Sequence, residues 1–212
     1  MIRSLNRARR RTGFVAPLLT AVLLGAAAPA VVPAGQAQAA SAAGGRVCLF
    51  RDAEGARGAG HVAWAVRDPK NTRHWIWGAT ENAEGDSYTE AGKPNGSWIA
   101  GGTWEALRKS LKPDGGQKKG FYDAYRCANT SGGDLRAAQR TYENMKNNGY
   151  HVTHNNCLTK AVAIFRKYSP ALSSAHLPDG GATPPNRYFG AVLNDARGWE
   201  KAHAYTPAAN RK

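Results

Sequence analysis

The sequence lacks several features that would define a function at once. Among its 212 residues there are only three cysteines, and acidic residues number 15 against 29 basic ones. It contains no glycine-rich loop that would cradle a phosphate, no internal repeat and no convincing set of metal ligands. We therefore expect neither a cofactor nor a metal ion, so that any chemistry rests on the side chains themselves.

The composition excludes two structural classes. With 42% hydrophobic and 21% charged residues, the chain is neither disordered nor collagen-like. Its length suits one domain of ordinary size, with enough residues to bury a core.

The N-terminus has the pattern of a secretion signal. Five arginines (Arg3, Arg7, Arg9, Arg10 and Arg11) precede an apolar stretch at residues 14–32 that contains Pro17 and Pro29 and is followed by Pro33. Ala37-Gln38-Ala39 then fits the small-x-small pattern of a cleavage site. We predict a signal peptide over residues 1–40, no transmembrane anchor, and a secreted, extracellular protein whose single domain spans residues 41–212.

The remaining domain is basic. Removal of the five arginines lowers the formal net charge from +14 to +9, which still favours anionic surroundings such as cell-wall polymers or lipid headgroups. The densest basic stretch contains Arg108, Lys109, Lys112, Lys118 and Lys119. Because no nucleic-acid module accompanies it, we expect no specific nucleic-acid partner. A solvated face is the simpler interpretation of this stretch, and contact with a polyanion is the alternative.

Apolar patterns predict strands first and helices later, which is an α+β organisation. Strand patterns occupy residues 46–50, 61–66, 74–79 and 121–127, with a short one near Trp98; helical patterns occupy residues 103–111, 134–148, 157–168 and 186–196. The second and third strands form a β-hairpin around the turn at residues 68–71.

The three cysteines lie in different surroundings. Cys48 is in the middle of an apolar strand and Cys127 is at the end of another, whereas Cys157 opens a helix. In an exported protein the two strand cysteines favour a Cys48–Cys127 disulfide. A disulfide of Cys157 with one of the others, or an inert buried thiol, remains the alternative.

The position of Cys157 is typical of a nucleophile. Backbone N–H groups at a helix N-terminus have no helical partners and carry positive charge, so they stabilise a thiolate. The same groups can hold an oxyanion, with help from the Asn156 side chain.

A cysteine nucleophile needs a base, usually histidine. Of the six histidines, His61 is the best placed, because it begins a hairpin strand directly after a Gly-rich loop. His176 and His203 fall in loop and tail segments. His151 and His154 lie just before the helix, and their spacing alone is a weak metal signal.

Three short motifs together suggest a family. They are Gly60-His61-Val62-Ala63-Trp64, then Asn155-Asn156-Cys157-Leu158-Thr159-Lys160-Ala161, and finally Thr183-Pro184-Pro185-Asn186-Arg187-Tyr188-Phe189. Their order resembles the circularly permuted papain-like proteins, the branch of the NlpC-like superfamily that includes relatives of lecithin retinol acyltransferase. The resemblance covers roughly residues 46–195. It implies a small antiparallel sheet packed on the Cys-bearing helix, and hydrolysis or transfer at an amide, ester or thioester carbonyl.

A third residue should orient the His61 ring. In the acyltransferase relatives a polar residue lies opposite the histidine on the next strand. With the turn centred near Lys70, the partner of His61 falls near Ala79, which puts His74 out of reach. Thr80, Glu81 and Asn82 lie near the right end, and Glu81 is favoured because a carboxylate also stabilises imidazolium.

These observations predict a secreted cysteine hydrolase or acyltransferase that works through an acyl-enzyme. The catalytic residues would be Cys157, His61 and Glu81, and a peptide, a cell-wall component or a lipid ester would be the substrate. A non-catalytic secreted binding domain and a basic polyanion-binding protein are the alternatives.

Overall fold

A computed structural model describes residues 44–82, 86–111, 122–172 and 174–204 of the chain. The predicted signal peptide lies outside these ranges, as do Lys112, Lys118 and Lys119 of the basic stretch. Among the described residues no helix is long and apolar enough to cross a membrane.

The strands are β1 (Gly45–Asp52), β2 (His61–Arg67), β3 (Trp75–Thr80), β4 (Tyr88–Thr89), β5 (Ser97–Gly102), β6 (Ala124–Thr130), β7 (Tyr150–His151) and β8 (His203–Ala204). The α-helices are α1 (Trp104–Ser110), α2 (Leu135–Met145), α3 (Cys157–Tyr168), α4 (Pro185–Arg187) and α5 (Leu193–Asp195). A short 3₁₀ turn (Ala56–Gly58) precedes β2, and a π-helical turn (Tyr188–Val192) joins α4 to α5.

Six strands form one antiparallel sheet in the order β5-β3-β2-β1-β6-β8, and β4 pairs with β7 in a separate ribbon. Helix α3 packs across β2 and against α2. The chain is therefore an α+β protein, as the sequence predicts.

Both faces of β2 are buried, which explains its nearly continuous apolar sequence. Val62, Trp64 and Val66 belong to the core that also contains the buried side of α3. Ala63 and Ala65 belong to a second core on the opposite face, which contains Leu107 of α1 and several aromatic residues. Packing on both faces holds β2 in place. The start of β2 therefore has a defined position next to α3.

A close approach of strands β3 and β5 requires glycine at position 78. A Cβ atom there would lie 2.2 Å from the carbonyl oxygen of Trp98 and 3.0 Å from Cζ2 of Trp64. The absence of a side chain lets Trp98 sit tightly beside β3, at the same end of the sheet as Glu81.

Cys48 and Cys127 are opposite each other on the antiparallel strands β1 and β6, with their Cα atoms 4.1 Å apart. They form a disulfide, and Cys157 is a free, buried thiol. The predicted pairing is therefore confirmed, and Cys157 does not form a disulfide.

Several predicted boundaries were wrong. β5 has six residues instead of a short strand near Trp98, and the strand expected at residues 121–127 is Ala124–Thr130. The helix expected at residues 186–196 is divided by the π-helical turn. His203, expected in an irregular tail, lies in β8 and pairs with Tyr125.

Candidate active site

Cys157 is the first residue of α3, and its side chain is buried. The helix begins there because Asn156 caps it: Oδ1 of Asn156 accepts hydrogen bonds of 3.0 Å from the amides of Leu158 and Thr159. The hydroxyl of Thr159 accepts in turn from the amide of Asn156 at 2.9 Å. This reciprocal cap holds the first turn of the helix, and with it the sulfur, in one orientation.

The cap also determines which amides can meet a substrate. The amides of Leu158 and Thr159 bond to the Asn156 side chain, and the amide of Lys160 bonds to the Asn156 carbonyl. Within the described part of the chain, the Cys157 amide is the one at the helix start that does not bond to Asn156. It points out of the N-terminus beside its own sulfur, where an oxyanion would form.

The Asn156 side chain is largely committed to structure. Besides capping α3 through Oδ1, it donates from Nδ2 to the carbonyl of Val152 at 2.7 Å. To hold an oxyanion, Asn156 would therefore have to use the second N–H of Nδ2. This role remains a prediction.

His61 lies next to the Cys157 side chain. It is the first residue of β2, and the packing of α3 across that strand brings its ring close enough to the Cys157 side chain for the two groups to interact. The ring is well shielded, with 12% of the side chain exposed. The two residues that the sequence analysis pairs thus lie side by side, although they are far apart in the chain.

Glu81 lies on the other side of the ring. Its Oε2 is 2.9 Å from Nε2 of His61. This contact does not have the geometry of a hydrogen bond from Nε2. The interaction between the two side chains is therefore mainly electrostatic. With Nε2 turned to the carboxylate, Nδ1 is the nitrogen left to exchange a proton with the sulfur.

The register of the hairpin explains why Glu81 is there. Ala63 pairs with Ala79, so two residues further along the ladder His61 faces Glu81. The expected partner near Ala79 was wrong by two residues, because the turn is centred at Asn71 instead of Lys70. His74 lies in that turn, at the far end of the strands from His61.

Two residues that the sequence analysis did not assign to the site hold the Glu81 carboxylate. Nε1 of Trp98 donates to Oε1 at 3.0 Å, and the hydroxyl of Tyr122 donates to the same oxygen at 3.4 Å. Tyr122 is buried and its ring also lies 6.0 Å from that of His61. No local pattern marks either residue, because both reach Glu81 from distant segments.

The charges in the site favour a protonated His61. Burial lowers the pKa of this imidazole, but the neighbouring Cys157 and Glu81 more than offset that and raise the pKa well above its ordinary value of 6.5. For Glu81, burial raises the pKa, but the close contact with His61 and its positive charge, together with the Trp98 and Tyr122 donors, bring the pKa below its ordinary value of 4.5. The carboxylate is therefore charged at neutral pH and stabilises an imidazolium.

A second carboxylate lies near His61. Asp52 pairs with it across β1 and β2. Burial raises the pKa of Asp52 despite two hydrogen bonds from the amides of Glu54 and Gly55 and the nearby charge of His61. Asp52 is thus a weaker source of negative charge at His61 than Glu81.

The loop before His61 is fastened to the segment that follows the Cys helix. Nδ2 of Asn186 donates to the carbonyls of Ala53 at 2.8 Å and Gly58 at 3.0 Å, and its amide donates to Ala59. Gly60 has a φ of +94°, and a Cβ there would lie 2.6 Å from Oδ1 of Asn186. Glycine is required at position 60 for both reasons. The hydrogen bonds from Asn186 fix the start of β2 and therefore the position of His61.

A cavity of about 190 Å³ opens beside Cys157. One wall is the loop that ends at Gly60, another is residues 182–185, and the third includes Tyr150 and Val152. Cys157 and Asn156 form its floor. Cys157 is therefore buried but borders a cavity that is open to solvent.

The other histidines do not join the site. The rings of His151 and His154 stack with their centroids 3.9 Å apart, and both Nδ1 atoms contact the hydroxyl of Thr153, at 3.0 and 3.1 Å. Neither residue lines the cavity beside Cys157. Among the described residues, no group of three or more His, Cys, Asp or Glu side chains is arranged to hold a metal ion.

Comparisons with known proteins add no relative. No protein-family model matches the chain, and neither a curated protein nor a solved structure matches it. The likeness to permuted papain-like proteins therefore depends on this chain's own motifs and on the order of its elements.

Proposed function

We propose that the protein is a secreted cysteine hydrolase or acyltransferase that acts on an amide or ester carbonyl through an acyl-enzyme. The observation that carries the proposal is the continuous contact from Cys157 to His61 and from His61 to Glu81, located at a capped helix N-terminus and beside a cavity. A buried structural thiol needs neither an imidazolium partner nor a carboxylate behind it.

The reaction begins with the Cys157 thiolate and the His61 imidazolium. The sulfur attacks the carbonyl carbon, a C–S bond forms, and the carbonyl π electrons move to the oxygen, which accepts a hydrogen bond from the Cys157 amide. When the carbonyl re-forms, the bond to the leaving group breaks and His61 gives that group its proton. A thioester on Cys157 and a neutral imidazole remain.

The second half of the reaction restores the site. Neutral His61 takes a proton from water or from an amine as that molecule attacks the thioester carbon. The C–S bond then breaks and Cys157 leaves as a thiolate beside the new imidazolium. Water as acceptor gives hydrolysis, and an amine gives acyl transfer. Glu81 remains charged throughout and stabilises the imidazolium at both ends of the cycle.

Family resemblance and location support this proposal. A histidine on an early strand that precedes the Cys helix is the order expected of the permuted papain-like type. The Cys48–Cys127 disulfide suits an oxidising compartment such as the cell exterior. There, the net charge of +9 that remains after removal of the signal favours an anionic cell-wall substrate such as a peptide.

Thiol chemistry tests the proposal directly. In the folded protein, iodoacetamide should alkylate Cys157 at neutral pH faster than it alkylates the same residue after unfolding in urea, because only the folded site supplies His61 and the helix terminus. The substitution Cys157→Ala should abolish turnover of a peptide or ester substrate. If alkylation is no faster in the folded protein and Cys157→Ala changes nothing, the protein is a binding module.

Salt dependence tests the polyanion alternative. A protein that binds polyanions through Arg108, Lys109 and Lys112 should lose affinity steeply as salt rises, and alanine at these positions should reduce that slope. A catalytic domain should retain its Cys157 chemistry under the same conditions.

A further inference from the structure

We propose that the cavity beside Cys157 selects acyl donors whose acyl group is short, aliphatic and uncharged, and that it rejects long lipid chains. This inference rests on the proposed function, since it assigns the acyl group that the same sulfur would carry. It removes long-chain lipid esters from the open substrate classes, and for a peptide or an anionic cell-wall substrate it requires that the larger or charged part lies on the leaving-group side.

The size of the cavity sets the upper limit. A cavity of about 150 Å³ in another protein is known to hold benzene, a molecule of six carbon atoms. The cavity beside Cys157 measures about 190 Å³, so it accommodates a group of roughly that size. Acetyl and butanoyl groups fit this limit, whereas an octanoyl group exceeds it.

The walls determine the chemical character of the group. Apart from the Cys157 sulfur itself, none of the described residues that line the cavity has a charged side chain, and most of them are alanine, glycine, proline or valine. A charged acyl group would lose part of its hydration there without finding an ion partner. An aliphatic group gains affinity with each methylene that it buries.

The position of the cavity indicates which part of the substrate it holds. Cys157 and Asn156 border the cavity, but His61 and Glu81 do not. The leaving group must meet the imidazole, because His61 supplies its proton. The group that stays on the sulfur is therefore the one that faces the cavity, and it is the acyl group.

A series of p-nitrophenyl esters tests this inference. The purified protein is treated with the acetate, butanoate and octanoate, and acylation of Cys157 is followed by mass spectrometry, with each rate divided by the ester's own rate with hydroxide. We expect butanoate to react fastest and octanoate to react about tenfold more slowly than butanoate, in keeping with the discrimination available to an apolar pocket.

Two substitutions should move the chain-length limit in opposite directions. Ala59 lies in the wall, is exposed and has ordinary helical backbone angles, so Ala59→Leu should narrow the cavity without strain and reduce the butanoate rate more than the acetate rate. Val152 is 44% exposed, so Val152→Ala should widen the cavity and raise the octanoate rate at little cost in stability. Ala171→Leu, at an exposed position outside the cavity, is the matched control.

The outcomes separate the two proposals. If Cys157 is acylated but octanoate reacts as fast as butanoate, the acyl selection is wrong and the cysteine mechanism stands. If the two wall substitutions leave the profile unchanged, the cavity does not hold the acyl group. If no ester acylates Cys157 in the folded protein, the proposed function fails, and the selection fails with it.

Discussion

Trp98 holds the carboxylate of Glu81 from the neighbouring strand: its Nε1 donates to Oε1 at 3.0 Å while Oε2 of the same group faces His61. The indole therefore orients the residue that orients the imidazole. A hydrogen bond to a charged group also favours the charged form, so Trp98 keeps Glu81 ionised as well as in place.

We expect Trp98→Phe to slow the acylation of Cys157 without unfolding the protein. Loss of the indole donor should weaken transition-state stabilisation by about 1 kcal/mol, or roughly fivefold in rate. It should also raise the pKa of Glu81, so that the decline in rate on acidification begins at a higher pH. Acylation by p-nitrophenyl butanoate measured across the acid range tests both effects.

Trp77→Phe is the control for this substitution. It removes a similar indole hydrogen bond, from Nε1 to the Ser110 hydroxyl at 2.7 Å, but at a distance from Glu81. An equal change in the acid-range profile of both variants would mean that Trp98 acts only through general stability.

We expect Glu81→Gln to lower the pKa of His61. A carboxylate stabilises the imidazolium, so the neutral amide lets the ring lose its proton at lower pH. Cys157 and Asp52 remain as the other acidic groups near the ring. Titration of the histidine ring signals by NMR measures this midpoint, and His61→Asn identifies the signal.

The exposed residue Glu105 provides the comparison, since Glu105→Gln removes the same charge away from the site. An unchanged His61 midpoint in Glu81→Gln would show that the 2.9 Å contact does not govern the charge of the imidazole.

Lys160 should make stability depend on pH in the alkaline range. Its buried Nζ donates to the carbonyls of Met145 at 3.1 Å and Gly149 at 3.2 Å and also to the side chain of Asn148. Burial lowers its pKa from 10.5 to about 8. Because the folded state releases this proton more easily than the unfolded state, stability should rise between pH 8 and 10.5.

A comparison with Lys160→Met isolates this contribution. Relative to the variant, the wild-type free energy of unfolding should increase on the order of 1 kcal/mol from pH 8 to 10.5, less than the full pKa shift because solvent and three oxygen acceptors still screen the charge. Urea unfolding at several pH values measures the difference. A difference that stays constant with pH would contradict the lowered pKa.

The disulfide should contribute much of the stability. It joins residues separated by 79 positions in the chain, so its loss frees a long loop in the unfolded state. We expect Cys48→Ala/Cys127→Ala to lower the free energy of unfolding by about 2–5 kcal/mol. Urea midpoints for this variant and for Cys157→Ala separate the loss of the bridge from the loss of a thiol; equal midpoints would contradict the prediction.

Local patterns in the sequence were sufficient for the main elements of the site. A capping asparagine, either Asn155 or Asn156, and the apolar stripe after Cys157 predict the start of α3, and the Gly60-His61 pair predicts the start of β2; the structure shows Asn156 as the cap. These signals are local because capping and strand alternation depend on neighbouring residues. The disulfide followed from two cysteines on apolar strands in a chain expected to be exported.

The supporting contacts could not be predicted in this way. Trp98, Tyr122 and Asn186 act through partners that are distant in sequence, and their own neighbourhoods carry no signature of that role. The register of the hairpin depended on the centre of the turn, and an error of one residue there displaced the expected ladder partner of His61 by two residues, from Glu81 to Ala79, although Glu81 was still favoured for its charge. The two-residue strands β4, β7 and β8 are too short for any period to show.

The packing of α3 over β2 has a consequence for how the protein matures. The sulfur and the imidazole come from segments that meet only when Trp64 and Val62 are covered by the helix, so a nascent or unfolded chain carries an ordinary thiol. The reactivity proposed for Cys157 therefore depends on the folded core, and an unfolded chain would lack it.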